Sequence, residues 1–249
     1  MNTAACRIAH VITESGPFGG AQRNTLLTLE GLATDGWTAE LICGSGGRLI
    51  GEARRLDIPV HVVPELVRPV DLRNDCRALV CLYRLYRSRQ YHIVHTHSTK
   101  AGLLGRVAAR WARVPVIVHT IHGYPFVLNG GPRTAAYITL ERLVGSVTDR
   151  VICVGEVLRQ EVSAWKFAPQ AKLSTIYSGI DFAAYVPQRT PLAMKRELGR
   201  DSAWPIVGSV GHLVEAKAQH DLVEAVGLLA ARYPRIALLL VGEGHLRTS

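Results

Sequence analysis

Three kinds of segment in this 249-residue chain combine residue types and spacings that could do chemistry. The first is glycine-rich, Ser15-Gly16-Pro17-Phe18-Gly19-Gly20-Ala21-Gln22. Paired glycines where a strand turns into a helix let backbone N–H groups approach a phosphate, and the helix N-terminus adds partial positive charge. The spacing is not the G-x-G-x-x-G of a dinucleotide fold, which weighs against a nicotinamide cofactor. A tight turn that needs glycine only for its φ angles would give the same letters. The second kind is rich in histidine. In His95-Thr96-His97-Ser98-Thr99-Lys100 the two histidines stand two apart on a strand and so share a face. Ser98 occupies the place of an N-cap, and Lys100, set against the dipole in the first helical turn, is better explained by a nearby anion. His122, in His119-Thr120-Ile121-His122-Gly123, precedes a glycine at a strand end, where a side chain can reach a bound ligand. His95-x-His97 and His119-x-x-His122 could also hold a metal, but no carboxylate lies near in sequence to complete such a site. Ordinary strand-end packing stays open for every one of these histidines. The third kind is basic: His212 follows Gly211, and Lys217 stands just before a helix, where it suits an anionic ligand better than it suits the helix.

The elements that must position these residues alternate along the chain. Strand-like runs are Arg7–Ile12, Ala39–Cys43, Val60–Val63, Ile93–His95, Val116–His119, Val151–Val154, Leu173–Tyr177, Ile206–Val210 and Ala237–Val241. Helical patterns fill Ala21–Ala33, Leu72–Arg89, Ala101–Ala112, Thr134–Val147, Glu156–Ala164 and His220–Arg232. Such alternation predicts an α/β fold, a doubly wound parallel sheet whose ligands bind beyond the carboxyl ends of the strands. Residues 1–181 form a first Rossmann-like domain in this reading, 182–205 a proline-bearing linker, and 206–249 the start of a second Rossmann-like domain, too short to fold alone.

Composition narrows the classes. With 48% hydrophobic and 20% charged residues the chain can bury a core, which excludes general disorder. Five cysteines, none spaced C-x-x-C, read as reduced core thiols of a cytoplasmic protein. No apolar run is long enough for a signal peptide or a membrane span. The net charge of +9 is concentrated: residues 66–113 hold ten Lys/Arg and two Asp. Within them Arg73, Arg77, Arg84 and Arg87 share one face of the Leu72–Arg89 helix, while Leu79, Leu82, Tyr83 and Tyr86 lie on another. Such a helix can lie on an anionic membrane, or be an ordinary solvated one. Interleaved aromatics of a base-stacking platform are lacking, so nucleic acid is not the expected partner.

Taken in order, Gly16-Pro17-Phe18-Gly19-Gly20-Ala21-Gln22, His95-Thr96-His97-Ser98-Thr99-Lys100-Ala101-Gly102, His119-Thr120-Ile121-His122-Gly123-Tyr124-Pro125-Phe126, Tyr177-Ser178-Gly179-Ile180-Asp181 and Val241-Gly242-Glu243-Gly244 resemble family 4 glycosyltransferases of the GT-B fold, in particular the bacterial surface-polysaccharide group. The resemblance implies two Rossmann-like domains, the first receiving the acceptor and the second a nucleotide-sugar, and sugar transfer with retention of configuration and without a metal or other cofactor. It implies His122 and Lys217 as the catalytic pair. It further implies Gly19, Gly20, His212 and Lys217 against the donor phosphates, and His97, Ser98 and Lys100 on the acceptor side. Three positions depart from the pattern: His212 replaces an arginine, Ala218 a glycine after Lys217, and Ser178 an asparagine. The chain also stops at Ser249, ahead of the family's Glu-x7-Glu segment. The expectation is therefore a retaining transferase acting on a lipid-linked glycan at the inner face of the plasma membrane, truncated in its second domain and impaired if it truly ends there. A non-catalytic remnant that binds a lipid surface or acceptor is the alternative, and a nucleotide-sugar epimerase a weaker one.

Overall fold

The computed structural model describes residues 6–13, 18–123 and 131–248. Ser15–Pro17 of the glycine segment and Tyr124–Gly130 after His122 lie outside the described residues. Two compact units divide at Ile180 and Asp181.

The first unit is one parallel sheet of seven strands: β1 (Arg7–Ile12), β2 (Thr38–Cys43), β3 (Val60–Val62), β4 (Ile93–His97), β5 (Val116–Ile121), β6 (Arg150–Cys153) and β7 (Leu173–Thr175). Their spatial order is β3-β2-β1-β4-β5-β6-β7, so the direction of winding reverses between β1 and β4. That pair forms the topological switch point, where an α/β sheet opens a crevice beyond its strand ends. Six helices connect the strands: α1 (Gly20–Thr34), α2 (Arg48–Arg55), α3 (Leu72–Arg89), α4 (Thr99–Ala112), α5 (Pro132–Ser146) and α6 (Glu156–Ala164). The α/β class and the parallel sheet are those read from the sequence. The short helix α2 was not, because its eight residues carry only two buried positions, Leu49 and Ala53, too few to set a helical period. β4 runs two residues beyond its expected end and takes His97 into the strand.

The second unit pairs β8 (Ile206–Val210) with β9 (Ala237–Val241) in parallel, with α7 (Pro191–Glu197) before them and α8 (Gln219–Ala230) between. The 182–205 stretch, expected as a linker, clusters with this unit. Its Lys195 Nζ donates to the Ala203 carbonyl at 2.8 Å and lies 5.0 Å from the Trp204 ring centre, while the Trp204 amide donates to the Arg235 carbonyl at 2.7 Å.

Two buried clusters sandwich the middle of the first sheet, one from α3 and α4 on β1 and β4, the other from α1 and α2 on β1 and β2. Cys43 and Cys153 belong to the core, and burial raises their thiols to about 12 and about 11. Cys76, against expectation, is exposed on α3. Helix α4 sits unusually close to the strands beneath it. A Cβ on Gly102 would lie 2.5 Å from Cε1 of His119, and one on Gly105 would lie 2.7 Å from Cγ2 of Thr96. Real carbon contacts do not reach such distances, so both positions need hydrogen as a side chain. Farther along α4, Arg106 is 1% exposed; its Nε donates to the Gly102 carbonyl at 2.7 Å and its Nη2 to Glu141 of α5 at 2.7 Å.

We expect Gly102→Ala to destabilise the chain by about 1–3 kcal/mol through overpacking against the fixed His119 ring. A urea midpoint equal to that of the parent chain would show that the helix can lift off without cost.

Candidate functional site

Strand alternation sorts the histidines before any contact is considered. His95 and His97 alternate with Thr96 on β4, while Thr120 and His122 alternate with His119 and Ile121 at the end of β5. The register pairs His10 with His95, His97 with Thr120 and Thr96 with His119. One face therefore carries His10, His95, His97, Thr120 and His122, and the opposite face carries Thr96 and His119 under α4. His119 and His122 consequently point to different sides of the sheet, which removes the His119-x-x-His122 metal reading.

On the first face the rings bond to one another. Nδ1 of His10 lies 3.0 Å from Nε2 of His97, and Nδ1 of His97 lies 3.0 Å from Nε2 of His122. Both pairs have ring centres 5.3 Å apart with planes tilted by 18° and 32°, the arrangement of rings joined edge to edge through their nitrogens. His95 packs against both buried rings, with centres at 4.6 Å from His10 and 4.4 Å from His97, and turns its Nε2 to the Thr120 hydroxyl at 2.7 Å. His10, His95 and His97 also make the single group of three potential metal ligands among the described residues, their nitrogens within 4.8 Å of one another. In two of the three, the close nitrogens already share a proton with each other.

Burial keeps this cluster neutral. It holds His10 and His122 down at about 4 and His95, His97 and His119 well below the ordinary imidazole range. For His97 the neighbouring imidazoles His95, His10 and His122 add to the same effect.

His122 itself is half-buried and lines a cleft of about 270 Å³ with Gly20, Ala21, Arg23 and Asn24 of α1 and Val154, Ser178, Gly179 and Ile180. Gly19 precedes α1 with φ −110°, an ordinary extended conformation, and a Cβ on Gly20 would meet nothing within 4 Å. The turn therefore does not need these glycines for its own φ angles, which corrects that reading; what a side chain at Gly20 would take is space in the cleft. The N-cap residue of α1, Gly19, has no side chain to cap the helix, and Gln22 reaches back to accept from the Gly19 amide at 3.2 Å. Arg23, in the second turn, brings a cation to the same wall.

Several expected contacts take other forms. His97, placed on the acceptor side from its motif, is fully buried and reaches the cleft only through His122. Ser98 is indeed the N-cap residue of α4, but its hydroxyl makes no capping bond. It bonds to the Thr13 hydroxyl at 2.7 Å, and Thr13 Oγ1 instead accepts from the Ala101 amide at 3.0 Å, capping the helix from β1. The anion beside Lys100 is Asp75 of α3, at 2.6 Å, with the lysine side chain only 11% exposed. In the second unit Lys217 ends a short 3-10 turn, Glu215–Lys217, and is exposed. Ala218, where the family pattern has glycine, sits at φ +49°, the left-handed region that glycine occupies without strain. His212 is exposed, and its carbonyl accepts from Gln219 at 2.8 Å.

His10, Thr13, Arg23 and Asn24 were missed. The signal for His10 was present, a polar residue inside the apolar run Arg7–Ile12. Those for Thr13, Arg23 and Asn24 were not, since nothing local distinguishes them.

The neutral histidines imply a pH dependence of stability. An unfolded chain takes up protons at histidine near 6.5, whereas the folded His10 and His122 resist protonation down to about 4. Folding stability should therefore fall as pH is lowered from about 6.5 toward about 4, by at most about 1.4 kcal/mol per histidine per pH unit. Urea midpoints taken on either side of that window check this, and equal values would mean the rings are solvated.

Comparison with known proteins agrees with this architecture. The chain is 32% identical over 247 residues to the UDP-Gal:alpha-D-GlcNAc-diphosphoundecaprenol alpha-1,3-galactosyltransferase of Escherichia coli, covering 96% of this chain and 62% of that protein. It is 24% identical to the capsular polysaccharide biosynthesis glycosyltransferase CapM of Staphylococcus aureus, over 74% of this chain and 49% of the relative. The chain thus spans less than two thirds of the length of either. Among solved structures, Anabaena HepE in complex with UDP-glucose superposes with a TM-score of 0.74 at 20% identity, over 95% of this chain and 60% of HepE, a likeness of fold, of the GT-B type. Residues 18–184, which include α1, the histidines of β4 and β5 and the residues lining the cleft, match the family model, and the chain belongs to Glycosyltransferase Family 4.

Proposed function

We propose that this chain serves a glycosyltransferase that moves a sugar from a nucleotide-sugar to a lipid-linked glycan, in the synthesis of a surface polysaccharide. The observation that carries the reading is the cleft at the strand ends, which His122 lines together with Gly20 and Arg23 from the N-terminal end of α1. In the transfer, the bond between the sugar's anomeric carbon and the donor diphosphate breaks as an acceptor hydroxyl bonds to that carbon. The electron pair leaves with the phosphate, and the hydroxyl's proton is lost. Negative charge grows on the leaving group, so fixed cations and N–H dipoles near it lower the barrier. The amides opening α1 and the Arg23 guanidinium suit that role in the first unit, and Lys217 with His212 in the second. Neutral at pH 7, His122 acts by hydrogen bonding to the transferred sugar rather than by charge. Retention of configuration belongs to this proposal, as does the absence of a resident cofactor. The reading is supported by the family and by the Escherichia coli relative, whose name pairs a UDP-sugar donor with a diphosphoundecaprenol-linked acceptor.

The same proposal places the chain on a membrane surface. No described helix is long and apolar enough to cross a membrane. Leu82 and Tyr86 of α3 are buried against the sheet and cannot meet lipid, which corrects the apolar face drawn from the sequence. The exposed face carries Arg73, Arg77, Arg84 and Arg87 together with Val80 and Tyr83. Beside it Leu79, Val80, Tyr83 and Trp111, the last 61% exposed, line an apolar groove of about 380 Å³. Aromatic and basic residues mixed on one face suit the interface of an anionic bilayer.

With UDP-galactose and GlcNAc-diphosphoundecaprenol as probes, His122→Ala should lower kcat about a hundred- to a thousandfold with the fold intact; full turnover in that variant would remove His122 from the reaction. Replacing Arg73, Arg77, Arg84 and Arg87 by glutamine should weaken binding to phosphatidylglycerol vesicles by up to about a thousandfold, at about 1 kcal/mol per charge. Unchanged cosedimentation would return the helix to ordinary solvated surface.

A further inference from the structure

We propose that His97, backed by His10, is a positioning residue that fixes the tautomer of His122, so that His122 meets its ligand as an Nδ1–H donor. The argument starts from the inventory of a neutral imidazole, which has one N–H and one lone pair. Three such rings in an unbroken chain, His10 Nδ1 to His97 Nε2 and His97 Nδ1 to His122 Nε2, allow only two polarities. Either every ring carries its proton on Nδ1, or every ring carries it on Nε2. The far end of the chain decides between them. Nε2 of His10 is buried and has no partner among the described residues. If the protons sat on Nε2, that end would be a buried N–H with nothing to bond. With the protons on Nδ1 it is only an unused lone pair. Orphaned buried donors are rarer and costlier than orphaned acceptors. The chain therefore runs from His10 toward His122, and the nitrogen of His122 that is not turned to His97 carries the proton.

The surroundings do not compete for this proton order. His95, the ring packed against His10 and His97, turns its Nε2 to the Thr120 hydroxyl. His119 lies on the opposite face, bonded to Thr96. Burial disfavours a second proton on any of the three rings, so the chain stays neutral and its polarity is preserved. A donor presented to the cleft suits a sugar hydroxyl or ring oxygen, and a lone pair would suit neither the ring oxygen nor a phosphate oxygen. The inference rests on the reading of His122 given above, but the proton positions can be read without any substrate.

The test is a long-range proton–nitrogen NMR spectrum of the full chain labelled with nitrogen-15 at histidine, at neutral pH. We expect His10, His97 and His122 each to show a protonated Nδ1 and a bare Nε2. A protonated Nε2 on His10 or His122 overturns the proposal, and if variants fail to fold this spectrum alone decides it. His97→Leu should let His122 exchange between tautomers, whereas His97→Asn, whose amide nitrogen replaces Nδ1 as a donor, should keep the parent spectrum of His122. In the transfer assay His97→Leu should lower kcat at least tenfold with KM for the UDP-sugar within twofold, and His97→Asn should restore most of it. Equal loss in both variants would mean the residue only packs. One equivalent of zinc that binds tightly and shifts His10, His95 and His97 together would overturn the proposal by assigning the cluster to a cation. If His122→Ala leaves transfer intact while the spectrum is as expected, the functional reading fails and the proton order stands.

Discussion

The close seat of α4 on β4 and β5 is the constraint on which the rest of the site depends. Gly102 and Gly105 let the helix backbone descend onto His119 and Thr96, at a distance that any methyl group would block. Three attachments hold it there. Thr13 of the β1 end caps its first turn, the Arg106–Glu141 pair ties its middle to α5, and Lys100 pairs with Asp75 of α3. A buried ion pair of this kind adds little net stability, but losing one partner strands a charge, commonly at a cost of about 3–5 kcal/mol. With one face of β4 and β5 thus sealed by the helix, the histidines of the other face occupy a fixed register across the switch point.

That register explains why the cluster is neutral. Burial disfavours the charged form of each ring, and for His95 and His97 the neighbouring imidazoles add to that effect, so the rings stay neutral. The group that emerges at the cleft is a hydrogen-bonding ring. The cation of this cleft is Arg23, on its wall. The proposed sugar transfer calls for both, since the sugar needs orientation and the phosphate needs charge.

The same folding sorted the basic segment into two populations. Arg89, Lys100 and Arg106 are spent on Glu40, Asp75 and Glu141 inside the unit. The arginines at 73, 77, 84 and 87 stay exposed along α3, next to the tyrosine and tryptophan of the apolar groove. A count of +8 over residues 66–113 could not separate the two, because two of the three acidic partners, Glu40 and Glu141, lie outside that stretch.

Much of the fold was legible in the sequence because it is written in local periods. β1, β8, β9, α3 and α6 lie where alternation and the helical repeat put them, and the ordered motifs were enough to indicate the family. The candidate site was legible in part. Gly20 and His122 were named from their places at strand ends, and they share one cleft. Lys100, His97 and Ser98 were named from the same kind of evidence, yet the structure turns each of them inward to a partner 25 to 87 positions away. By itself, then, the sequence determined the elements, their alternation and which strand ends carry polar residues, since those follow from neighbours along the chain. The pairing of His10 with His97, the cap from Thr13 and the neutrality of the rings were decided by tertiary structure alone, because each depends on which strand lies beside which, and strand order at a switch point is not a local property.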